Sequence, residues 1–366
     1  MYVIYGETNM ARSIHELALG SADVTAITPK VISATIEEVA RGQRVFAQLF
    51  KDNSDLVGKA GLEISFPKKG TGISASFDVS PNTSIAPSSF AYDATTIRVK
   101  KAGIRLEFTT EALESALRDV IKDHIFEAGI VYAETIDDRA ISVALNLTSV
   151  SSTVPAASTV ISGSYPIWNV TSVSGCTIDG LDYATGTIYV TAAGSVTPGT
   201  ITYQYSKRCY ESTLYVDAIN DNTLSTWDLL ATRAKVLAQN YRPNVVVIHD
   251  DDIPGLLYDE KLKFLDTSAY GTREAILNAE IGKIFGLKVL TTTRTATGHA
   301  VYFDTSRMGY YVKKRELRGY REDKPEFDAI WYHMWAEGDF GVVNDKAVAM
   351  SVNHGPATGS LRVRTA

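Results

Sequence analysis

Hydrophobic residues recur along the chain with two different periods, and the places where the period changes divide it. Near the N-terminus "SATIEEVARGQRVFAQLF" sets Ile36, Val39, Phe46, Leu49 and Phe50 near helical spacing, with Glu37, Glu38, Arg41 and Arg44 between them. That pattern predicts an amphipathic helix. The preceding "DVTAITPKVIS" has a proline and no strong period, and reads as extended chain. The period then shortens to two. "ISASFDV" places Ile73, Ala75, Phe77 and Val79 on one face, and "TIRVKKAGIRLEF" does the same with Ile97 and Val99, then with Ile104, Leu106 and Phe108 after a break at Gly103. Such alternation marks half-buried strands. Between them lies "SPNTSIAPSSFAYDA", a turn or tip by composition. The whole reads as a two-stranded finger, and a lone ribbon is marginal in water, so it must lie on something else.

The longest helical pattern comes next. "TTEALESALRDVIKDHIFEAGIVYAETIDDRAISVALN" repeats Leu113, Leu117, Val120, Ile121, Ile125, Tyr132 and Ile136 at helical intervals, with Thr109 and Thr110 as candidate caps and Glu111 and Glu114 in the first turn. About 35 residues at ~1.5 Å each predict a rod of roughly 50 Å. A two-helix coiled coil is the plain alternative, but His124 and Glu127 to Gly129 break a strict heptad.

Composition then changes abruptly. From Leu147 to Ser206 the only charged residues are Asp179 and Asp182, and Ser, Thr, Gly and Val dominate. "TIYVT" and "TITYQYS" read as two strands joined by a turn with Gly and Pro, so this stretch predicts a small β-sandwich or barrel. Charged helical sequence resumes in "TLSTWDLLATRAKVLAQNY", which Pro243 is expected to end, before the buried-strand signal "NVVVIH". "DDDIPGLLYDEKLKFL" and "TREAILNAEIG" predict helices, and "LKVLTTT", "HAVYFD" and "GYYVKKREL" predict strands. The mixture is an α+β or α/β layer arrangement. "FDAIWYHMWAEGDFGVVNDKAVAMSVN" reads as a closing strand hairpin whose partners lie far back in sequence.

The 366 residues suffice for two or three domains, and 45% hydrophobic with 21% charged residues is an ordinary globular balance. No apolar run is long enough to span a membrane, and the N-terminus does not read as a secretory signal. A net charge of −6 argues against a surface that wraps nucleic acid. Cys176 and Cys209 are too few for a disulfide scaffold, although they could pair within the β-rich stretch.

Candidate chemistry is thin. Gly282-Lys283 is followed by Ile284, has no glycine five residues earlier, and sits between a helix and a strand, so it lacks the form of a phosphate loop. Gly282 as a helix terminator and Gly286 as a turn residue account for it better. "HDDDIP" (His249 to Pro254) could hold a metal, but aspartates at a helix start are also caps. His15, His124, His299, His333 and His354 show neither metal-ligand spacing nor a nucleophile motif. "KKRELRGYRED" (Lys313 to Asp323) mixes both signs and reads as a solvated or subunit-facing strand. The glycosylation-like sites at Asn82, Asn146 and Asn169 occur at chance level. No catalytic, cofactor-binding or metal residue is assigned.

The order of elements is more specific than any motif. "GIRLEFTTEALESA" (Gly103 to Ala116), "RPNVVVIHDDDIPGL", "NAEIGKIFGLKVLTTTRTATGHAVYFD" and the closing "FDAIWYHMWAEGDFGVVNDKAVAMSV" together resemble the major capsid proteins of tailed viruses, with the fold of phage Hong Kong ninety-seven that encapsulin shells share. The resemblance implies an α+β subunit with an N-terminal arm (1–60), an extended loop or E-loop (61–103) and a peripheral domain with a spine helix (104–147 and 322–366). It implies an axial domain over 213–321. Residues 148–212 have no counterpart in the minimal fold and look like an inserted all-β domain. Their Asp-Tyr-x-x-Gly lead-in resembles β-sandwich modules of virion surfaces.

The resemblance also implies a non-enzymatic protein assembling with itself into pentamers and hexamers of an icosahedral shell. Portal and scaffolding or decoration proteins would be partners. Double-stranded DNA would be enclosed without sequence-specific contact, and no membrane or cofactor is implied. The place would be the virion, with assembly in the host cytoplasm. No long helical scaffolding segment is read before the arm, so if Met1 is the true start scaffolding would be separate or unnecessary. Some family members cross-link through Lys and Asn; Lys68, Lys69 and Asn344 are the residues to watch, but no motif fixes the pairing. The alternatives are an encapsulin-type compartment and a β-rich tail or adhesion protein.

Overall fold

A computed structural model of the chain describes residues 34–37, 44–69, 92–109, 120–154, 160–192, 199–217, 224–258, 283–296, 298–352 and 354. The alternating segment 73–79, the helical pattern "TREAILNAEIG", Val39, His15, Thr110 and Gly282 lie outside them.

The helix α1 (Val120–Leu145) is the spine of the architecture. It buries Ile125, Ala128, Tyr132, Ala133, Ile136, Ala140, Ile141, Ala144 and Leu145, a stripe at three- and four-residue intervals that keeps one face inward. The polar interruption does not stop it: Glu127 is exposed, and Gly129 is buried. The helix ends where Asn146 takes φ 51, a left-handed angle that asparagine tolerates better than most residues.

The stripe packs on a four-stranded sheet ordered β1-β16-β17-β4. These strands are β1 (Lys51–Asn53), β4 (Lys100–Thr109), β16 (Gly309–Lys324) and β17 (Ala329–Val342). Thr109 is the last residue of β4 rather than a helix cap. Gly103 does not interrupt β4, which pairs with β17 without a break from Thr109↔Ala329 to Lys100↔Gly338. Instead, Gly103 leaves room for the Trp335 ring, which a Cβ there would meet at 2.2 Å. Beside this sheet, β2 (Glu63–Lys69) and β3 (Tyr92–Arg98) form a two-stranded ribbon, so the ribbon differs from the expected finger: of the segment 97–108, residues 100–108 pair with β17 in the four-stranded sheet instead. The ribbon lies on the chain's own body: Ile97 and Val99 cluster with Leu56 and Val312, and Phe66 stacks on Tyr310 at 4.4 Å.

The N-terminal pattern forms a helical turn at 34–37 and, separately, a 3-10 turn at Ala47–Leu49. Residues 44–50 are not a continuation of a regular helix because the Asp137 carboxylate captures their backbone. It accepts from the N–H groups of Val45 at 2.6 Å, Phe46 at 3.3 Å and Ala47 at 2.9 Å. Burial pushes the Asp137 pKa up, opposed by those three bonds and by Arg44. Ile36, Phe46, Leu49 and Phe50 nevertheless enter the core as the spacing expects.

A six-stranded mixed sheet has the order β11-β18-β15-β12-β14-β13. Its strands are β11 (Tyr215–Asp217), β12 (Val245–Ile248), β13 (Lys283–Ile284), β14 (Leu287–Thr291), β15 (Ala300–Phe303) and β18 (Val348–Val352). Every residue of β12, β15 and β18 is buried, as expected of strands covered on both faces. One cover is helix α3 (Thr226–Ala238), opened by a capping box between Ser225 and Asp228. It stops at Ala238, with Asn240 at φ 62, before Pro243 is reached. The expected closing hairpin is also different: β17 pairs with β16 and β4, whereas β18 crosses into the six-stranded sheet. β16 runs straight through residues 321 and 322.

The charge-poor stretch forms two three-stranded sheets, β5-β10-β7 and β6-β9-β8. They comprise β5 (Leu147–Val154), β6 (Val160–Ser162), β7 (Ile167–Ser174), β8 (Cys176–Asp182), β9 (Thr187–Ala192) and β10 (Gly199–Ser206). Both contribute to one apolar cluster that includes Ile167, Ile201 and Tyr203 from the first and Leu181, Ile188 and Val190 from the second. This is a sandwich. "TIYVT" and "TITYQYS" are not a hairpin, since β9 and β10 belong to opposite sheets. The sandwich leaves and rejoins the body at one place, where Leu147 pairs with Ser206. There the short helix α2 (Lys207–Ser212) begins, and buried Arg208 donates from Nε to the Ala144 carbonyl at 2.7 Å and from Nη2 to Val143 at 3.1 Å. These bonds satisfy carbonyls left open at the end of α1.

Candidate assembly surface

Residues with possible chemistry in the sequence are dispersed into structural roles. Lys283 is exposed on β13, and the turn after it places Phe285 at φ 52 and Gly286 at φ 78. Two positive angles in a two-residue link are the mark of a tight hairpin, not of a phosphate loop. The His249 ring accepts from the Asp251 N–H at 3.1 Å and so caps the 3-10 turn Asp250–Asp252. Among the described residues no three or more His, Cys, Asp or Glu side chains gather as a metal site would require. Cys176 and Cys209 are free and buried, in different clusters. Burial pushes the Cys209 thiol up to about 11, which keeps it an unreactive thiol.

The remaining described histidines are also occupied. His124 meets the Phe108 ring edge-on at 5.6 Å, and His333 lies 3.0 Å from Glu322. His299 bridges the sandwich to the six-stranded sheet, with ring nitrogens 2.8 Å from the Gly298 carbonyl and 3.0 Å from the Trp168 carbonyl. Ser351, His354 and Asp228 form a line that the local sequence pattern does not reveal: Ser351 Oγ is 2.7 Å from His354 Nε2, and His354 Nδ1 is 3.7 Å from Asp228. The order resembles a hydrolytic triad, but all three are at most 1% exposed. No substrate carbonyl reaches a nucleophile that the core encloses. Asp228 instead serves the capping box of α3. Burial would raise its pKa, but His354 and the bonds from Ser225 outweigh that and hold it below the usual carboxylate value.

Lys68 and Asn344 come near one another, though not as a bonded pair. Lys68 Nζ is 2.6 Å from Asp345 and Asn344 Nδ2 donates to the Arg307 carbonyl at 2.5 Å. Asp345 also pairs with Arg208, so one carboxylate ties the ribbon to the end of the spine helix.

The structure does gather a surface. Tyr332, Met334 and Ala336 of β17 face the spine helix and are buried. The alternate residues Trp331, His333, Trp335 and Glu337 face away from it. Across the sheet they are matched in rows: Glu322–Trp331–Glu107, Tyr320–His333–Arg105, Arg318–Trp335–Gly103 and Arg315–Glu337–Lys101. Tyr320 is 58% exposed, Trp335 40% and Phe327, at the hairpin tip, 62%. Lys101 sits 4.0 Å over the Trp335 ring and Arg105 4.6 Å over Trp331. Arg105 pairs with Glu107 and Arg315 with Glu337, at 3.8 and 3.5 Å.

Internal pairing leaves this face poorly suited to grip a phosphate backbone, and cations already cover its indoles. Preorganised Trp, Tyr and Arg side chains with balanced charge are instead the composition of protein interface centres. The sequence carried the signal in "WYHMW", where bulky residues occupy both parities of a strand. One parity alone is needed for the core.

A family model described as phage capsid protein matches residues 92–351. The chain belongs to this family. No curated protein matches the sequence. Among solved structures, the capsid asymmetric unit of cyanophage Pam1 is similar at a TM-score of 0.55 and 12% identity, covering 85% of this chain and 89% of that one. The capsid of cyanophage P-SCSP1u is similar at 0.53 and 12%, covering 84% and 88%. The mature capsid of bacteriophage PhiM1 is similar at 0.52 and 10%, covering 84% and 86%. At such identities the likeness is one of fold: this is the α+β capsid fold of the Hong Kong ninety-seven type. The protein is a major capsid protein, and the encapsulin and adhesion alternatives are not favoured.

Proposed function

We propose that copies of this chain close into an icosahedral shell around a viral double-stranded DNA genome. The family match carries the reading, and the outward aromatic face of β17 supports it. A subunit that works alone has no reason to preorganise Trp335 of β17, Tyr320 of the neighbouring β16 and Phe327 of the turn between them toward solvent. Many such contacts, each weak, add up to a stable closed shell.

The sheets support a division into domains whose axial boundary differs from the expected 321/322. The ribbon β2–β3 with the segment between them is the extended loop, and residues before β1 are the arm. Helix α1 with the four-stranded sheet is the peripheral domain. The six-stranded sheet is the axial domain, so the boundary falls near the start of β16 and β18 returns to the axial side. The sandwich is an inserted domain, supported by its own apolar cluster and by the adjacency of its two ends. Its near lack of charge and the adjacency of its two ends suit display on the shell exterior. A net charge of −6 suits a wall that encloses DNA without holding it. Portal, scaffolding or decoration proteins are the further partners, the function needs no catalysis, and assembly takes place in the host cytoplasm.

Expression of the full chain followed by electron microscopy and light scattering tests this reading. Closed particles are expected. A small ring or trimer as the only product would refute it, and an enzyme cargo in native particles instead of nuclease-protected DNA would favour the compartment.

A further inference from the structure

We propose that the acidic, phenylalanine-tipped turn between β16 and β17 docks into a basic groove at the root of β16 on a second copy of this chain. The inference rests on the shell reading and adds which parts of two copies meet. The turn is the 3-10 segment Pro325–Phe327, closed by Asp328 at φ 47. Phe327 is 62% exposed but not loose, since its ring stacks on Trp331 at 6.1 Å and 16°. Around it are Glu322, Asp323, Glu326 and Asp328. The nearby cations are already engaged, Lys324 by Glu322 at 2.6 Å and Arg321 by Asp323 at 2.8 Å. The tip therefore presents an aromatic ring in a negative setting.

The groove has the opposite character. It encloses about 700 Å³ beside β16, lined by Val57, Lys313, Lys314, Arg315, Arg318 and Tyr320, with Glu316 as its one carboxylate. It opens where the strand is bulged. β16 passes from Lys313 to Arg318 while β17 passes only from Gly338 to Trp335, so β16 carries extra residues that bend it away from its partner. Leu317 turns into the core and anchors the bulge. Lys313 is paired with Asp52 at 2.7 Å, Lys314 donates to the Gly61 carbonyl at 2.6 Å, and Arg315 pairs with Glu337. Arg318 makes no ion pair among the described residues. Val57 is 54% exposed and Tyr320 58%, which gives the groove apolar walls for an entering ring.

Tip and groove cannot meet within one chain. They lie on the same strand, and from Arg318 to Lys324 it extends by roughly 20 Å at ~3.3 Å per residue. From Arg318 to Lys324 the strand is held residue by residue against β17 and does not fold back on itself, so the complementary tip must come from another copy. Each subunit then donates one tip and accepts another, a head-to-tail contact of the kind that closes into rings. Opposite charges at the two ends set the direction, since tip against tip or groove against groove brings like charges together.

The test uses full-length chains in which Glu326→Lys and Arg318→Glu are made singly and together. Each single reversal is expected to lower particle yield about tenfold, and the double variant to restore it, because the pair is re-formed with signs exchanged. Single variants assembling like the wild type would overturn the contact, as would a double variant that fails while the folded subunit melts normally. If Arg318→Glu keeps the particles but loses copurifying nucleic acid, the groove is a nucleic-acid contact and the proposal is wrong. A Phe327→Cys, Tyr320→Cys variant supplies an arm independent of charge. Oxidised particles should run as a multimer ladder on a non-reducing gel, and monomers alone would overturn the contact. Wild-type chains that form no particles would remove the shell reading and this contact with it; wild-type particles with unaffected variants remove the contact alone.

Discussion

The six-stranded and four-stranded sheets are built from similar residues and finished differently. In the first, β12, β15 and β18 are buried along their whole length, and Val246, Val247 and Tyr302 are fully enclosed. In the second, β4 is mostly exposed or half-buried, and β17 turns Tyr332 and Met334 inward but Trp335 outward. One sheet is completed by its own chain. The other is left half covered, with aromatics on the open side. In the shell proposed above, further copies supply the missing cover, and the difference then separates the part that makes a subunit from the part that makes a shell.

The strongest way to break this comparison is to truncate one aromatic from each sheet. Phe303 is 1% exposed on β15 and meets Phe46 edge-on at 6.0 Å. Phe303→Ala should cost about 3–5 kcal/mol of folding free energy in denaturant titrations of the subunit. Trp335→Ala should cost about 1 kcal/mol or less in that titration while reducing particle yield. Equal folding costs would erase the distinction. The Asp137 clasp comes next. Asp137→Ala leaves three backbone N–H groups near residues 45–47 without their acceptor, and should cost about 2–3 kcal/mol with faster proteolysis before β1.

Acidity sharpens the comparison, because the depressed Asp228 belongs to the six-stranded side. A carboxylate whose pKa is lower folded than unfolded adds stability above its unfolded value, near 3.9, and loses it as pH falls through the folded value. Acid unfolding followed by circular dichroism should therefore steepen below about pH 4, and Asp228→Asn should flatten that limb. Gly286→Val should cost about 1–2 kcal/mol, since φ 78 is strained for a β-branched residue even though a Cβ there meets nothing within 4 Å. Lys283→Ala, exposed beside it, should change stability by no more than about 0.5 kcal/mol and leave assembly intact.

Local pattern settled a good deal of this protein. The 3.6-residue stripe of α1, the apolar run of β12, the abrupt loss of charge at Leu147 and the turn at Gly286 each arise from neighbours a few residues apart, so they are readable in the chain. Element order was enough to point to the family. Pairings between distant segments were not readable, because period two says which residues share a face but not which strand lies alongside. Hence β17 and β18 looked like one hairpin though they belong to different sheets, and β9 and β10 looked paired though they oppose one another across a core. Asp137 looked like one more charge on a helix, and only the return of residues 45–47 to its side gives it three hydrogen bonds. The outward face of β17 belongs to the same category. Its aromatics are plain in the sequence, but that one set is buried by the spine helix and the other left for a neighbour is decided by which side of the sheet the helix covers.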